Sequence, residues 1–193
     1  AVLRYKKPAK HSIGIDIDAQ IVANRREDLG ISCELLCTDA TLWLRDQQFK
    51  GDELIYCDPP YVTSTRAQQR IYRHELSDEQ HCMLLRVLCS LPCKIILSGY
   101  ANPIYEAELK DWRTVTFMSK THAGMRQETL WMNFDEPNEL HDYSYIGDTF
   151  REREATKRRL NTLKARIEKL GFIERSLLMS WMKELQATEL DTL

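Results

Sequence analysis

Leu54-Ile55-Tyr56-Cys57-Asp58-Pro59-Pro60-Tyr61 decides the reading of this chain. A run rich in apolar residues that stops at an acid and two prolines predicts a buried strand, Leu54 to Tyr56, whose carboxyl end becomes a rigid loop. Pro60 has no N–H and biases Pro59 towards extended geometry, so the loop cannot relax into helix and its carbonyls are held outward as acceptors. The carboxylate of Asp58 and the backbone carbonyl of Pro59 can each accept one hydrogen from an exocyclic amine of a planar base. The ring of Tyr61 offers an apolar face on which that base can stack. Such an arrangement suits a nucleobase flipped out of its stack. An acid before proline is also ordinary turn chemistry, with Asp58 as a cap. The strand before it and the aromatic after it favour the pocket.

Upstream, Ser12 to Asp18 reads as a short buried strand ending in acids, followed by a helix from Ala19 to Leu29 with Gly30 as its stop. This is a strand, turn and helix of the Rossmann kind, in which a strand-end acid accepts hydrogen bonds from the ribose of an adenosine-containing cofactor. Asp16 is the candidate for that contact, with Ile17 packing on the adenine ring and Asp18 capping the helix. Cys33 to Cys37 is the next strand, and Thr41 to Asp46 a short amphipathic turn.

Downstream, Val62 to Arg73 has little apolar periodicity and carries Arg66, Arg70 and Arg73, which suits a polar loop over the site that contacts phosphates. Ser77 and Gln80 begin a helix whose buried face is Leu84, Leu85, Val87, Leu88 and Leu91. Lys94 to Tyr100 is a strand, Ile104 to Leu109 a short helix, and Thr114 to Phe117 and Thr129 to Phe134 the last two strands. Between these two, Lys120 to Arg126 reads as a basic hairpin-like loop, with Lys120 and Arg126 as a second phosphate or base contact.

The Asp58-Pro59-Pro60-Tyr61 loop resembles the catalytic tetrapeptide of amino-group methyltransferases, and its Asp form resembles the Dam-type N6-adenine DNA methyltransferases. Tyr72 to His81 and Leu130-Trp131-Met132-Asn133-Phe134 are similar to small prophage-type members of that family, so the resemblance covers nearly the whole chain. It implies an α/β Rossmann-like methyltransferase sheet, bacterial or phage-encoded and cytoplasmic. The implied cofactor is S-adenosylmethionine and the implied partner double-stranded DNA with a flipped adenine. Methyl transfer by direct displacement requires no metal. Asp58, Pro59, Pro60 and Tyr61 are the implied catalytic residues, with Asp58 also beside the cofactor. Asp39 lies where similar enzymes place a side chain near the cofactor's adenine amino group; the alternative for Asp39 is an N-cap.

Two departures accompany the resemblance. The glycine-rich loop that carries the cofactor's methionine part in the family is not in this sequence, which opens with Ala1 to Lys7, like the last turns of a helix before Pro8. A strand and loop are therefore expected ahead of Ala1, and the strands containing Ile13 and Ile55 are expected to lack the central neighbour they would share. There is also no room between Asp39 and Asp58 for a target-recognition insertion. Related loops serve RNA bases and glutamine side chains, and a non-catalytic DNA-binding prophage remnant is the rival from another class.

Composition bounds the rest. With 193 residues and a net charge of -2, one domain and a modest extension are expected, and any nucleic-acid face must be local. The six cysteines lack zinc-ligand spacing and read as small buried hydrophobes in a reducing compartment. No apolar run approaches the roughly 18 residues needed to span a membrane. The catalytic domain is placed at 1–147. At 148–193 a basic helical run with a Leu160, Leu163, Ile167, Leu170 stripe precedes a second amphipathic helix, Ile173 to Leu185. The pair reads as a helical hairpin packing on the domain or forming a homodimer with a second copy, or as a basic face tracking DNA.

Overall fold

The computed structural model describes residues 9–29, 33–65, 73–121, 124–137, 146–147 and 149–190. Strand β1 (Ile13–Asp16), helix α1 (Ala19–Leu29) and strand β2 (Glu34–Cys37) form a parallel unit, with Ile13 opposite Glu34 and Asp16 opposite Cys37. α1 starts where the sequence put it, because the Gln20 N–H donates to the Asp18 carboxylate at 2.9 Å. Val22 is its buried anchor, and the Arg26 guanidinium donates to the Leu35 carbonyl at 3.0 Å. Gly30 lies outside the described residues. Helix α2 (Ala40–Asp46) takes the place of the short turn expected there and leads towards β3 (Leu54–Cys57).

β3 pairs in parallel with β4 (Lys94–Gly99), Ile55 opposite Ile95 and Cys57 opposite Leu97. The crossover helix α3 (Asp78–Ser90) begins with the anticipated capping box: Ser77 accepts from the Gln80 N–H while Gln80 accepts from the Ser77 N–H. Its Leu84, Leu85 and Leu88 pack with Ile95, Leu97, Trp131 and Tyr105 of helix α4 (Pro103–Glu108) to form the core. Strands β5 (Arg113–Thr121) and β6 (Gly124–Met132) complete a sheet of order β3-β4-β6-β5, both new pairings antiparallel.

Both of these strands are longer than expected. The segment read as a basic loop is the continuing hairpin, paired residue by residue from Arg113 opposite Met132 to Thr121 opposite Gly124. Charged residues do not end a strand of which one side meets water, and Gly124 supplies the positive φ of +117° at the turn.

The sheet is broken in two. Among the described residues β1 pairs only with β2, and β3 only with β4, so each has an open edge. The α/β Rossmann-like arrangement is thus present, without a neighbour shared by β1 and β3. This corrects the expectation of fully buried strands: Leu54 is 61% exposed and Tyr56 43%, while Ile55 and Cys57 on the other side pack against the core. The cysteines need the same correction. All six are free thiols, but only Cys93 is fully buried, and Cys37 and Cys89 are exposed.

The chain divides into units 1–136 and 137–193. In the second, α5 (Phe150–Glu168) opens with a Thr149–Glu152 capping box, and α6 (Phe172–Leu190) follows a break at Gly171. The two helices are not packed along one another, so a helical hairpin is not formed. Their apolar side chains, Leu160, Leu163, Phe172, Ile173 and Leu177 among them, are exposed. Among the described residues no helix is long and apolar enough to cross a membrane.

Asn133 extends the β4 ladder with a side chain. Its Oδ1 accepts the Ile95 N–H at 2.7 Å and its Nδ2 donates to the Cys93 carbonyl at 2.8 Å, both partners being buried. Asn133→Ala leaves those two backbone groups unpaired. An unsatisfied buried group costs about 1–3 kcal/mol, so the urea midpoint should fall by a corresponding amount with an unchanged slope. An unchanged midpoint would contradict this role.

Candidate active site

The carboxyl end of β3 delivers Asp58 as the ladder ends, and the two prolines that follow cannot donate to a continuing one. Pro59 is buried and Val62 anchors the loop in the core, while Asp58 keeps its side chain open to solvent. A short 3-10 turn, Thr63–Thr65, closes the segment, its Thr65 N–H and hydroxyl both donating to the Val62 carbonyl. Arg66 and Arg70 lie outside the described residues.

Tyr61 joins two strands at this point. Its ring meets the Tyr100 ring edge-on at 4.4 Å between centroids. The packed atoms around Asp58 push its pKa up, the charge of Glu128 pushes it further, and the nearby Tyr61 side chain opposes both. Desolvation, with Asp58 and then Glu128 adding to it, also raises the Tyr61 phenol, which is therefore neutral at physiological pH. The Cys57 thiol is pushed up to about 12 by burial and by Asp58. It stays protonated and is unsuited to act as a nucleophile. Asp58 thus stands exposed at the end of β3, at the position singled out from sequence.

The polar exit of the Lys94 to Tyr100 strand, expected from sequence to border the site, brings Ser98 and Tyr100 to it, while Glu128 was not singled out. Ser98 is buried on the same face as Tyr56. The signal was the two-residue alternation Arg126, Glu128, Leu130, which places an acid on the site side of β6 once that strand is extended to Gly124.

The basic residues are used differently from one another. The Arg126 guanidinium lies over the Tyr100 ring at 5.3 Å and donates to the Thr65 carbonyl at 3.2 Å, so it ties the loop exit to β4 and β6. Arg73 reaches back to the Asp18 carboxylate at 3.2 Å and thereby connects the segment after the loop to the end of β1. Lys120 is exposed on β5, opposite Met125.

At the carboxyl ends of β1 and β2 stand the residues assigned to a cofactor. Asp16 Oδ1 accepts the Asp18 N–H at 2.8 Å, which fixes the acid at the turn, and Ile17 beside it is 48% exposed. Asp39 is the N-cap of α2, accepting the Leu42 N–H at 3.0 Å, as its alternative reading had it. It also borders a shallow cleft with Thr41, Leu42, Leu76, Gln80 and Met83. A fixed carboxylate next to an exposed apolar side chain fits an adenosine group, which needs an acceptor for ribose hydroxyls and a surface for its ring.

Comparison with known proteins follows the same line. Residues 4–117 match the D12 class N6 adenine-specific DNA methyltransferase family. Among solved structures the chain is similar to HI0767 from Haemophilus influenzae, a protein assigned as a methylase, at 13% identity and a TM-score of 0.39, over 66% of this chain and 74% of that one. It is also similar to M. capricolum TrmK, solved with S-adenosyl-homocysteine, at 7% identity and a TM-score of 0.41, over 93% of this chain and 80% of that one. No curated protein matches the sequence. The family match spans more than half of the chain and includes the whole Asp58 to Tyr61 loop, and on that ground the chain belongs to the D12 class of N6 adenine-specific DNA methyltransferases.

Proposed function

We propose that the chain transfers a methyl group from S-adenosylmethionine to the N6 amino group of adenine in double-stranded DNA. The observation that carries this reading is Asp58, exposed at the end of β3 just before a buried proline, within a segment that matches the adenine-specific family. The cofactor, when bound, supplies the electrophilic sulfonium methyl. Asp16 would hold its ribose, Ile17 its adenine ring, and Asp39 and Asp58 would border it.

The protein's part is to accept, orient and stabilise. The Asp58 carboxylate and the Pro59 carbonyl each accept a hydrogen from the adenine amine, which aims the nitrogen lone pair at the methyl carbon. As the N–C bond forms the nitrogen becomes cationic, and both acceptors stabilise that charge. The surplus proton leaves through the solvent-open side of Asp58. Tyr61 supplies an apolar face for a base that has given up its stacking in the duplex, at a cost of a few kcal/mol. Pro60 keeps the loop from closing into helix.

Phosphate contact is assigned to Arg66, Arg70, Arg73 and Lys120, with Arg126 placing the loop that carries the first of them. The exposed apolar side chains of α5 and α6 suit pairing with a second copy of the chain, and the cation-rich α5 suits contact with DNA.

The test is transfer of isotope-labelled methyl to DNA, RNA and protein acceptors offered separately. Label recovered as N6-methyladenine in DNA is the expected result; label in an RNA base or a glutamine side chain would replace the substrate, and DNA binding without transfer would replace the activity. Asp58→Ala should lower transfer by roughly 10²-fold or more, the scale of losing one transition-state contact, with cofactor affinity little changed.

A second expectation concerns Asp16. Losing charge-assisted hydrogen bonds to the ribose costs on the order of 2–3 kcal/mol, or about a hundredfold in affinity. Calorimetry of S-adenosylmethionine binding to Asp16→Ala checks this, and unchanged affinity would move the ribose contact elsewhere.

A further inference from the structure

The strand register brings a second carboxylate to the loop. Cys57 stands opposite Leu97, and Leu97 opposite Trp131, all packed towards the core. One step further along each strand the side chains turn to the other face, and Asp58 falls beside Ser98. Gly99 stands opposite Thr129, so Glu128 falls beside Tyr100, the residue whose ring packs on Tyr61. Asp58, Ser98, Tyr100 and Glu128 therefore occupy one face at one end of the sheet.

We infer that Glu128 is a positioning residue for methyl transfer, a second negative charge that acts through Asp58 and Tyr61. The inference rests on the methyltransferase reading and extends it to a residue outside the tetrapeptide. During transfer the positive charge moves from the sulfonium to the adenine nitrogen as the S–C bond breaks and the N–C bond forms. A carboxylate on the nitrogen's side of the pocket is favoured more by the product-like charge distribution than by the starting one, which is the condition for raising kcat rather than only tightening binding. Asp58 does this by contact. Glu128 adds a field from behind it.

The surroundings leave that field in place. Of the described titratable groups, Tyr56, Tyr61, Tyr100 and Glu128 lie on the Asp58 side, while Cys57 on β3 and Tyr105 on α4 lie on the core side. The phenols of Tyr56, Tyr61 and Tyr105 and the Cys57 thiol are held above their ordinary pKa, chiefly by burial, and are neutral near pH 7. Arg126, on the same face of β6, is engaged with Tyr100 and the Thr65 carbonyl. Among the described residues none of the ion pairs includes Asp58 or Glu128. The charge of Glu128 opposes ionisation of Asp58 and the Tyr61 phenol favours it, so two variants should move Asp58 in opposite directions.

The experiment follows the Asp58 carboxyl carbon by NMR titration in the full chain labelled at aspartate, with Asp58→Asn locating the signal. Glu128→Gln should move the Asp58 midpoint to lower pH, and Tyr61→Phe should move it to higher pH. An unmoved midpoint in Glu128→Gln overturns the inference, whether or not the chain transfers methyl groups. The same variant is then assayed for transfer at a pH above the Asp58 midpoint found in the titration. There kcat should fall on the order of tenfold, short of the roughly 10²–10³ lost when a touching group is removed, with KM for the cofactor unchanged. A fall in KM-linked binding alone, or no fall, overturns it. Should Glu128→Gln fail to give a folded amide spectrum, Glu128→Asp provides the second arm: it keeps the charge, and its Asp58 midpoint should stay near that of the parent. If no acceptor is methylated by the parent chain, the methyltransferase reading fails separately while the titration still decides the role of Glu128.

Discussion

The hydrogen-bond ladder from β3 through β4 to β6 sets the geometry on which the site depends. Parallel pairing of β3 with β4 and antiparallel pairing of β4 with β6 hold three strand ends in fixed register. Asp58, Ser98 and Glu128 are neighbours for that reason, though they lie far apart in the chain. The prolines then end the ladder at the point where chemistry requires an acceptor and not another backbone donor. Rigidity is inherited from the core beneath: Ile55, Ile95, Leu97 and Trp131 pack on α3 and α4, and Val62 fastens the far side of the loop into the same cluster. A site carried on strand ends is placed more accurately than one carried on loops alone.

The open edges of β1 and β3 leave two separate sheet ends. Asp16 and Ile17 lie at the end of the smaller sheet, and Asp58 and Tyr61 follow a strand of the larger one. Among the described residues, Arg73 runs from the segment after the Asp58 loop to Asp18 at the start of α1. Unpaired strand edges and half-exposed apolar residues such as Leu54 and Tyr56 are an aggregation liability in a parallel sheet.

Much of this was legible in the sequence, for identifiable reasons. Asp58-Pro59-Pro60 announced a strand end because proline acts locally, and the Ser77 to Gln80 box and the Asp18 cap were readable because their partners lie within three residues. The gap between β1 and β3 was expected from the resemblance, which places a further strand between them. Other features depend on distant partners that composition does not reveal. Lys120 to Arg126 looked like a loop because its charges masked a two-residue period, and that misreading hid Glu128. The contacts of Arg126 with the ring of Tyr100 and the carbonyl of Thr65 were not legible, because nothing local to it shows those partners. The burial of β3 was overstated because an apolar run predicts an interior position, whereas exposure is set by whether a neighbouring strand is present.

The central claim is that the loop after β3 is an amine-binding pocket for an extruded adenine. The most direct measurement is a crystal structure of the chain with S-adenosyl-homocysteine and a short duplex carrying an unpaired adenine. The account predicts that base beside Tyr61, its exocyclic nitrogen within hydrogen-bonding distance of the Asp58 carboxylate and the Pro59 carbonyl. An ordered adenine bound elsewhere on the chain, with Asp58 facing only water, would contradict it.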